Sequence, residues 1–356
     1  MKKTLNKTKI ADFATYIGVV IAFIVMNALM NEGLLTRSMK GQLVPICCYI
    51  VMAVSLNLTV GILGELSLGH AGFMSVGAFT GVVTAMSLQR AIPSDGVRLA
   101  LAIVMGAIFA GIAGTLVGIP VLRLHGDYLA IVTLAFGEII KELINCLIIG
   151  HDENGLHIIF NATGAKTVTD LGLTETGKVL IKGAQGATGT DTIASFTAGF
   201  ILIMITLVVV LNLVRSRSGR AIMALRDNRI AAESVGINVT KYKLMAFVTS
   251  AALAGGAGAL YGLNFSNLVS SKFDFNTSIL ILVFVVLGGL GNMWGSIIAA
   301  AVLTVLPEAL RGFADYRMLI YAIVLIVVML ATNSPQMKAL LSKLVPFGKK
   351  GEKEHA

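Results

Sequence analysis

The chain is a succession of apolar runs, most of them close to the length of a membrane-crossing helix, separated by loops that hold most of its charge. About 20 apolar residues wound as a helix span the ~30 Å hydrocarbon layer of a bilayer. Ten such runs can be marked, near residues 14–30, 42–62, 66–88, 99–121, 128–149, 194–214, 244–263, 277–292, 294–310 and 317–333. A water-soluble fold has no place for that much apolar surface, because much of any such surface must be wetted. Charged residues make up 13% of the chain, about half of the roughly 25% usual in soluble domains. The predicted fold is all-α: a polytopic transmembrane helical bundle of about ten spans, forming a single domain over residues 1–356. The third and eighth runs are rich in glycine and are predicted to be broken or re-entrant. The opening MKKTLNKTKIADFATYIG has the look of a signal peptide. No small-residue cleavage site follows it and further spans do, so an uncleaved first span is expected.

Charge sets the orientation. Lys and Arg collect on the cytoplasmic side of membrane proteins. Here they collect in three places: Lys2, Lys3, Lys7 and Lys9 at the start; Arg215, Arg217, Arg220, Arg226, Arg229, Lys241 and Lys243 in the loop 215–243; and Lys338, Lys343, Lys349, Lys350 and Lys353 in the tail 334–356. An even number of spans puts all three on one side, the cytoplasm, with both termini. The polar segment 150–193, with Asp152, Glu153, Asp170, Glu175 and Asp191, then lies outside. This bias explains the net charge of +9 without nucleic acid. Cys47, Cys48 and Cys146 sit in apolar runs, without metal-ligand spacing, and read as small apolar residues. No metal site is predicted.

The basic loop is the most informative segment. Residues Ile222–Val235 have helical composition without proline. Ile222, Leu225, Ala232 and Val235 can share an apolar face, and Gly236 suits the left-handed residue past a helix end. Two readings stand: a surface helix lying on anionic lipid, and a docking helix for a cytoplasmic partner.

Two further groups are candidates for the solute path. In LSLGHAGF, Ser67, Gly69, His70 and Gly72 follow Glu65 at the start of the third run. The glycines free the backbone to break the helix and turn its polar groups toward a cavity, as in transporters with interrupted helices. The alternative is a wet position near the interface, or packing. A catalytic or metal-binding His70 has no partner of suitable spacing. In the fifth run Glu138 stands about 15 Å along the helix by helical rise, with Lys141 and Glu142 beside it. Ionisable groups at that depth are costly and often functional; an interhelix ion pair and a solvated position near the outer surface are the other readings. Lys272 and Asp274 are expected to be solvated in an outer loop, and Glu308 and Arg311 to pair locally. Two Gly-rich stretches, 53–72 and 279–295, echo each other, which an internal repeat or helix packing would each explain.

The run ALRDNRIAAESVGINVTKYKLMAF resembles the coupling-loop signature of ABC-importer permeases, most of all the LivM-type permeases of branched-chain amino acid uptake. LSLGHAGFMSVGAF at 66–79, GDYLAIVTLAFGEII at 126–140 and LGGLGNMWGSIIAA at 287–300 resemble the same family. Where that family has a Thr-Gly-Gly-Pro-x-Gly element in its outer loop, this chain has NATGAKTV at 161–168. The resemblance implies a multi-pass subunit of the bacterial inner membrane that forms half of a path for branched-chain or other hydrophobic amino acids. It implies a homologous second permease, two cytoplasmic ATPase subunits that bind ATP and Mg2+, and an extracytoplasmic binding protein as partners. Arg226, Asp227, Ala231, Ala232, Glu233 and Gly236 would form the coupling helix. The chain would bind no cofactor and hydrolyse nothing, in line with its lack of a phosphate-binding loop. Urea or short amides as cargo, and a secondary transporter working alone, are the alternatives.

Overall fold

The computed structural model describes residues 2–310 except 34, 35, 125, 153, 154, 162–167 and 174–176, together with 319, 322, 323 and 326. Most of the tenth predicted span, the tail 334–356, Arg311, Glu153, Glu175 and most of NATGAKTV fall outside the described residues. Met1–Ala301 form one compact unit and Val302–Ala356 a second.

The first unit holds α1 (Lys2–Asn31), α2 (Arg37–Asn57), α3 (His70–Ser87), α4 (Asp95–Val121), α5 (Asp127–Asn145), α6 (Phe196–Arg215), α7 (Arg217–Asp227), α8 (Arg229–Ser234), α9 (Val239–Gly262), α10 (Phe275–Gly288) and the start of α11 (Met293–Ala309), whose residues from Val302 onward belong to the second unit. In that second unit 319, 322, 323 and 326 are helical, with Leu319, Ile323 and Ile326 exposed. Five segments are long and apolar enough to cross a membrane: Phe13–Asn31, Arg37–Leu63, Asp95–Val121, Phe196–Arg215 and Val239–Gly262. α10 and α11 are shorter and apolar. This is a helical membrane protein.

Which face each helix turns outward follows from its sequence. α4 exposes Val97, Leu101, Val104, Ile108, Ile112, Leu116 and Ile119, a stripe at three- and four-residue spacing suited to lipid. Its opposite face carries Ala102, Gly106, Ala110 and Gly114 and is buried. α2 is central, with 89% of its most apolar window buried. α3, α4 and α9 meet through small residues. A Cβ on Gly77 would overlap the backbone of Gly255, and one on Gly106 would lie 3.0 Å from the Gly77 carbonyl. Lipid supplies no hydrophobic drive between helices, so this close backbone approach is what holds them together.

The expectation of an all-α chain requires correction between residues 147 and 188. β1 (Leu147–Asp152), β2 (Gly155–Phe160) and β3 (Lys178–Lys182) form an antiparallel sheet in the order β2-β1-β3. Ile148 faces Ile159 across one ladder and Lys182 across the other, with a register shift between Ile149 and Gly150. β4 (Ala187–Thr188) pairs with β5 (Asn267–Leu268). The fifth apolar run therefore ends its helix at Asn145 and continues as a strand. Hydrophobicity alone does not separate the two, but the β-branched residues after Cys146 favour the strand.

Candidate functional site

α2 does not end cleanly. It runs into a π-helical turn, Leu58–Leu63, and Gly64 (φ +80°) turns the chain out of the helix before α3 starts at His70. Near this break the predicted path residues separate into two groups. Glu65 faces the basic loop, in an ion pair with Lys243 of α9. Ser67, Gly69, His70 and Gly72 gather at the start of α3.

Their surroundings are tight. His70 is 2% exposed, and its Nε2 lies 2.8 Å from Ser55 Oγ. The Ser55 hydroxyl proton is directed to the Met52 carbonyl at 2.9 Å, so the network assigns the His70 proton to Nε2, donating to Ser55. Gly69 backs onto the Thr133 carbonyl and Gly72 onto Gly137 of α5, with no room for a Cβ at Gly69. The broken backbone is satisfied by side chains: the Leu68 amide donates to Thr133 Oγ1 (3.1 Å) and the Ala71 amide to Ser278 Oγ (3.2 Å). Ser67 Oγ is buried without a hydrogen-bond partner.

Glu138 sits just beyond Gly137. It forms an ion pair with Lys141 one turn along the same helix, so the interhelix pairing considered from sequence is replaced by an intrahelical one. Glu142 lies farther, 4.0 Å from Lys141. Glu138 also lines a narrow cavity of about 10 Å³ with Leu68, Gly72, Gly137, Asp274 and Ser278, room for about one water. Asp274 is not simply solvated. It caps α10, accepting from the Thr277 amide at 3.0 Å and from Asn276 Nδ2 at 2.9 Å. Lys272 Nζ stands 4.5 Å over the Phe265 ring.

The basic loop folds as two helices rather than the one expected over Ile222–Val235. α7 ends at Asp227; Asn228 is extended (φ −155°, ψ 107°) and caps α8 by accepting from the Ala231 amide. The break turns α8 relative to α7. Leu225, Ala232 and Val239 form a small apolar core, while Val235, expected on that face, is 75% exposed. Ile230 is 79% exposed. Asp227, Ala231, Glu233 and Gly236 are exposed, and Arg229 pairs with Glu233 at 3.6 Å. Gly236 has φ +86° and closes α8, its amide donating to the Glu233 carbonyl. Arg226 reaches inward instead, donating to the Gly61 carbonyl in the π-turn.

Sequence reasoning passed over Asn57, which joins the two echoing Gly-rich stretches. Its Oδ1 accepts from the Gly291 amide (2.8 Å) and its Nδ2 donates to Ser296 Oγ (3.0 Å). An asparagine inside an apolar run was the available signal, because a buried polar group in a span needs a partner. Among the described residues no group of three or more His, Cys, Asp or Glu side chains is disposed to hold a metal ion.

The family model for the permease component of branched-chain amino acid transport systems matches residues 39–329. The chain is 35% identical to the high-affinity branched-chain amino acid transport system permease protein LivM of Escherichia coli K12, over 79% of its own length and 66% of the relative's. It is 34% identical to the protein of the same name from Salmonella typhimurium LT2, over 79% and 66%. To the LivH permease protein of that system in Salmonella typhimurium it is 22% identical, over 79% and 88%. The chain thus spans just under two thirds of the length of the LivM relatives. No solved structure matches it.

Proposed function

The chain belongs to the family of branched-chain amino acid transport permease components, and on that premise we propose that it is a non-hydrolysing subunit of an ATP-driven importer for branched-chain or other hydrophobic amino acids. In this reading it is a single permease domain with ten spans across the bacterial inner membrane and both termini in the cytoplasm. The segment 150–193 faces outward to a binding protein. A homologous second permease completes the path, and two ATPase subunits supply ATP and Mg2+ chemistry that this chain lacks, since it holds no phosphate-binding loop.

The observation that carries the proposal is the exposed surface of α8. Beside the membrane helices, a short polar helix buries Ala232 and leaves Ile230 and Val235 bare. Large apolar side chains left exposed on a short polar helix and at its end are candidate contacts for a partner. Asp227, Ala231, Glu233 and Gly236 are exposed on the same short segment and, with them, form the docking surface for an ATPase subunit. The break at Ser67, Gly69, His70 and Gly72 is the hinge of the path, Glu65 anchors its inner end, and Glu138 borders it. Interrupted helices serve this purpose in other transporters.

Glu233→Lys and Gly236→Pro test the docking surface. Proline cannot adopt the positive φ of Gly236. Both variants are expected to insert normally and to abolish uptake; normal uptake by either removes α8 from the coupling role.

A further inference from the structure

The π-turn at the end of α2 has an arginine seated in it. A helix end leaves its last carbonyls without backbone donors. Here the amides of Gly64 and Glu65 both return to the Thr59 carbonyl, and the carbonyl of Gly61 receives the guanidinium of Arg226. Three glycines shape the seat. A Cβ on Gly61 would overlap Asn57 Oδ1 and the Gly291 amide, and one on Gly64 would come within 2.9 Å of Arg226 Cγ. Gly291 (φ +82°) brings its own Cβ position within 3.7 Å of Arg226 Nη1. A cation at the carbonyl end of a helix is also favoured by the helix dipole.

From this seat polar contacts run deep into the unit. The Gly291 amide donates to Asn57 Oδ1, and Asn57 donates to Ser296. Two residues earlier on α2, Ser55 meets His70, and Ser250 Oγ of α9 donates to the Ser55 carbonyl at 2.5 Å. One arginine from the last turn of α7 therefore ties the basic loop to the π-turn that ends α2, and α2 in turn holds the α10–α11 turn through Asn57 and the helix break at His70 through Ser55.

We propose that Arg226 is a positioning residue for transport: it is the strut through which movement of α7 and α8 reaches the interrupted helix, rather than a contact for the ATPase. The π-turn is the compliant element, able to rewind when the guanidinium withdraws; such turns are frequent at functional sites. The inference rests on the importer reading given above.

The test uses the complete transporter, with its ATPase subunits and loaded binding protein, in vesicles. In R226Q the ATPases are expected to co-purify in wild-type proportion and to hydrolyse ATP, while amino acid imported per ATP falls about tenfold, the upper range for a coupling position. R226K, which keeps the charge but not the planar fork, should recover part of the ratio. N57A should lower the same ratio, and the double variant R226Q/N57A should fall no further than the worse single one. An unchanged import-to-hydrolysis ratio in R226Q overturns the proposal. So does a drop caused by loss of the ATPase subunits, which would make Arg226 a docking contact. Failure of the wild-type chain to bind ATPases at all would instead overturn the importer reading. Arg226 is partly exposed while its guanidinium reaches the Gly61 carbonyl, so its replacement removes no apolar side chain from the packed core.

Discussion

Lys243 of α9 and Glu65, just past the π-turn, form an ion pair whose side chains are 4% and 17% exposed. The pair pins the chain leaving α2 to the start of α9, next to the basic loop. Removing one partner of a buried pair strands the other charge, at a cost of about 3–5 kcal/mol. Glu65→Gln and Lys243→Met should each lower the thermal stability of the detergent-solubilised protein by an amount of that order. The double variant should be more stable than either single one. Equal stability of single variants and parent would show that the pair is solvated and not a fastening.

The small-residue contact between α3 and α9 predicts a sharp contrast between glycines. Gly77→Val drives a side chain into the Gly255 backbone, which cannot move aside as a side chain would. The expected cost is about 3 kcal/mol or more, seen as loss of monodisperse protein on size exclusion. Gly96→Ala, in the first turn of α4, meets nothing within 4 Å. It should be neutral, or stabilising by roughly 0.5–1 kcal/mol from reduced backbone freedom.

Much of the helical core was legible in the sequence, because a bilayer allows few solutions for long apolar runs. The starts and ends of α2, α4, α6 and α9 lie within a few residues of the predicted spans. The sheet was not legible: residues 147–149 continue the apolar run of α5, and what makes them a strand is pairing with segments near residues 159 and 181. At the site, Gly236 was read correctly because its backbone angle is a local property. Val235 was placed on the wrong face because Asn228 interrupts the helix, and a single extended residue resets the periodicity. Arg226 reads as surface charge in any linear scan; its partner, Gly61, is far away in sequence.

Asp274 gives a pH-dependent test. Burial pushes its carboxyl up, but the hydrogen bonds from the Thr277 amide, Asn276 and the Thr277 side chain, with Lys141 nearby, outweigh this and hold it below the ordinary aspartate value of 3.8. A depressed folded value means that ionised Asp274 favours the folded state. That contribution is complete above the unfolded value near 3.8 and is lost as pH falls through the lower folded value. Asp274→Ala should therefore cost about 1 kcal/mol at pH 7 through the lost cap, with the deficit shrinking below about pH 4. Asp274→Asn keeps a capping side chain and should lose less. A deficit that is flat with pH would contradict the assignment.

The exposed apolar pair on α8 makes a prediction that separates docking from folding. Ile230→Glu and Val235→Glu change side chains outside the packed core and should leave stability within about 0.5 kcal/mol of the parent. Both should weaken co-purification of the ATPase subunits. Full association of both variants would move the docking surface elsewhere.

The most direct test of the central claim is uptake of a labelled branched-chain amino acid into vesicles that hold this chain with its second permease and ATPase subunits, compared with vesicles that hold this chain alone. The account predicts uptake only in the complete assembly, dependent on ATP and on loaded binding protein, and none from the isolated chain under an imposed proton or sodium gradient. Gradient-driven uptake by the isolated chain, unaffected by ATP, would contradict it.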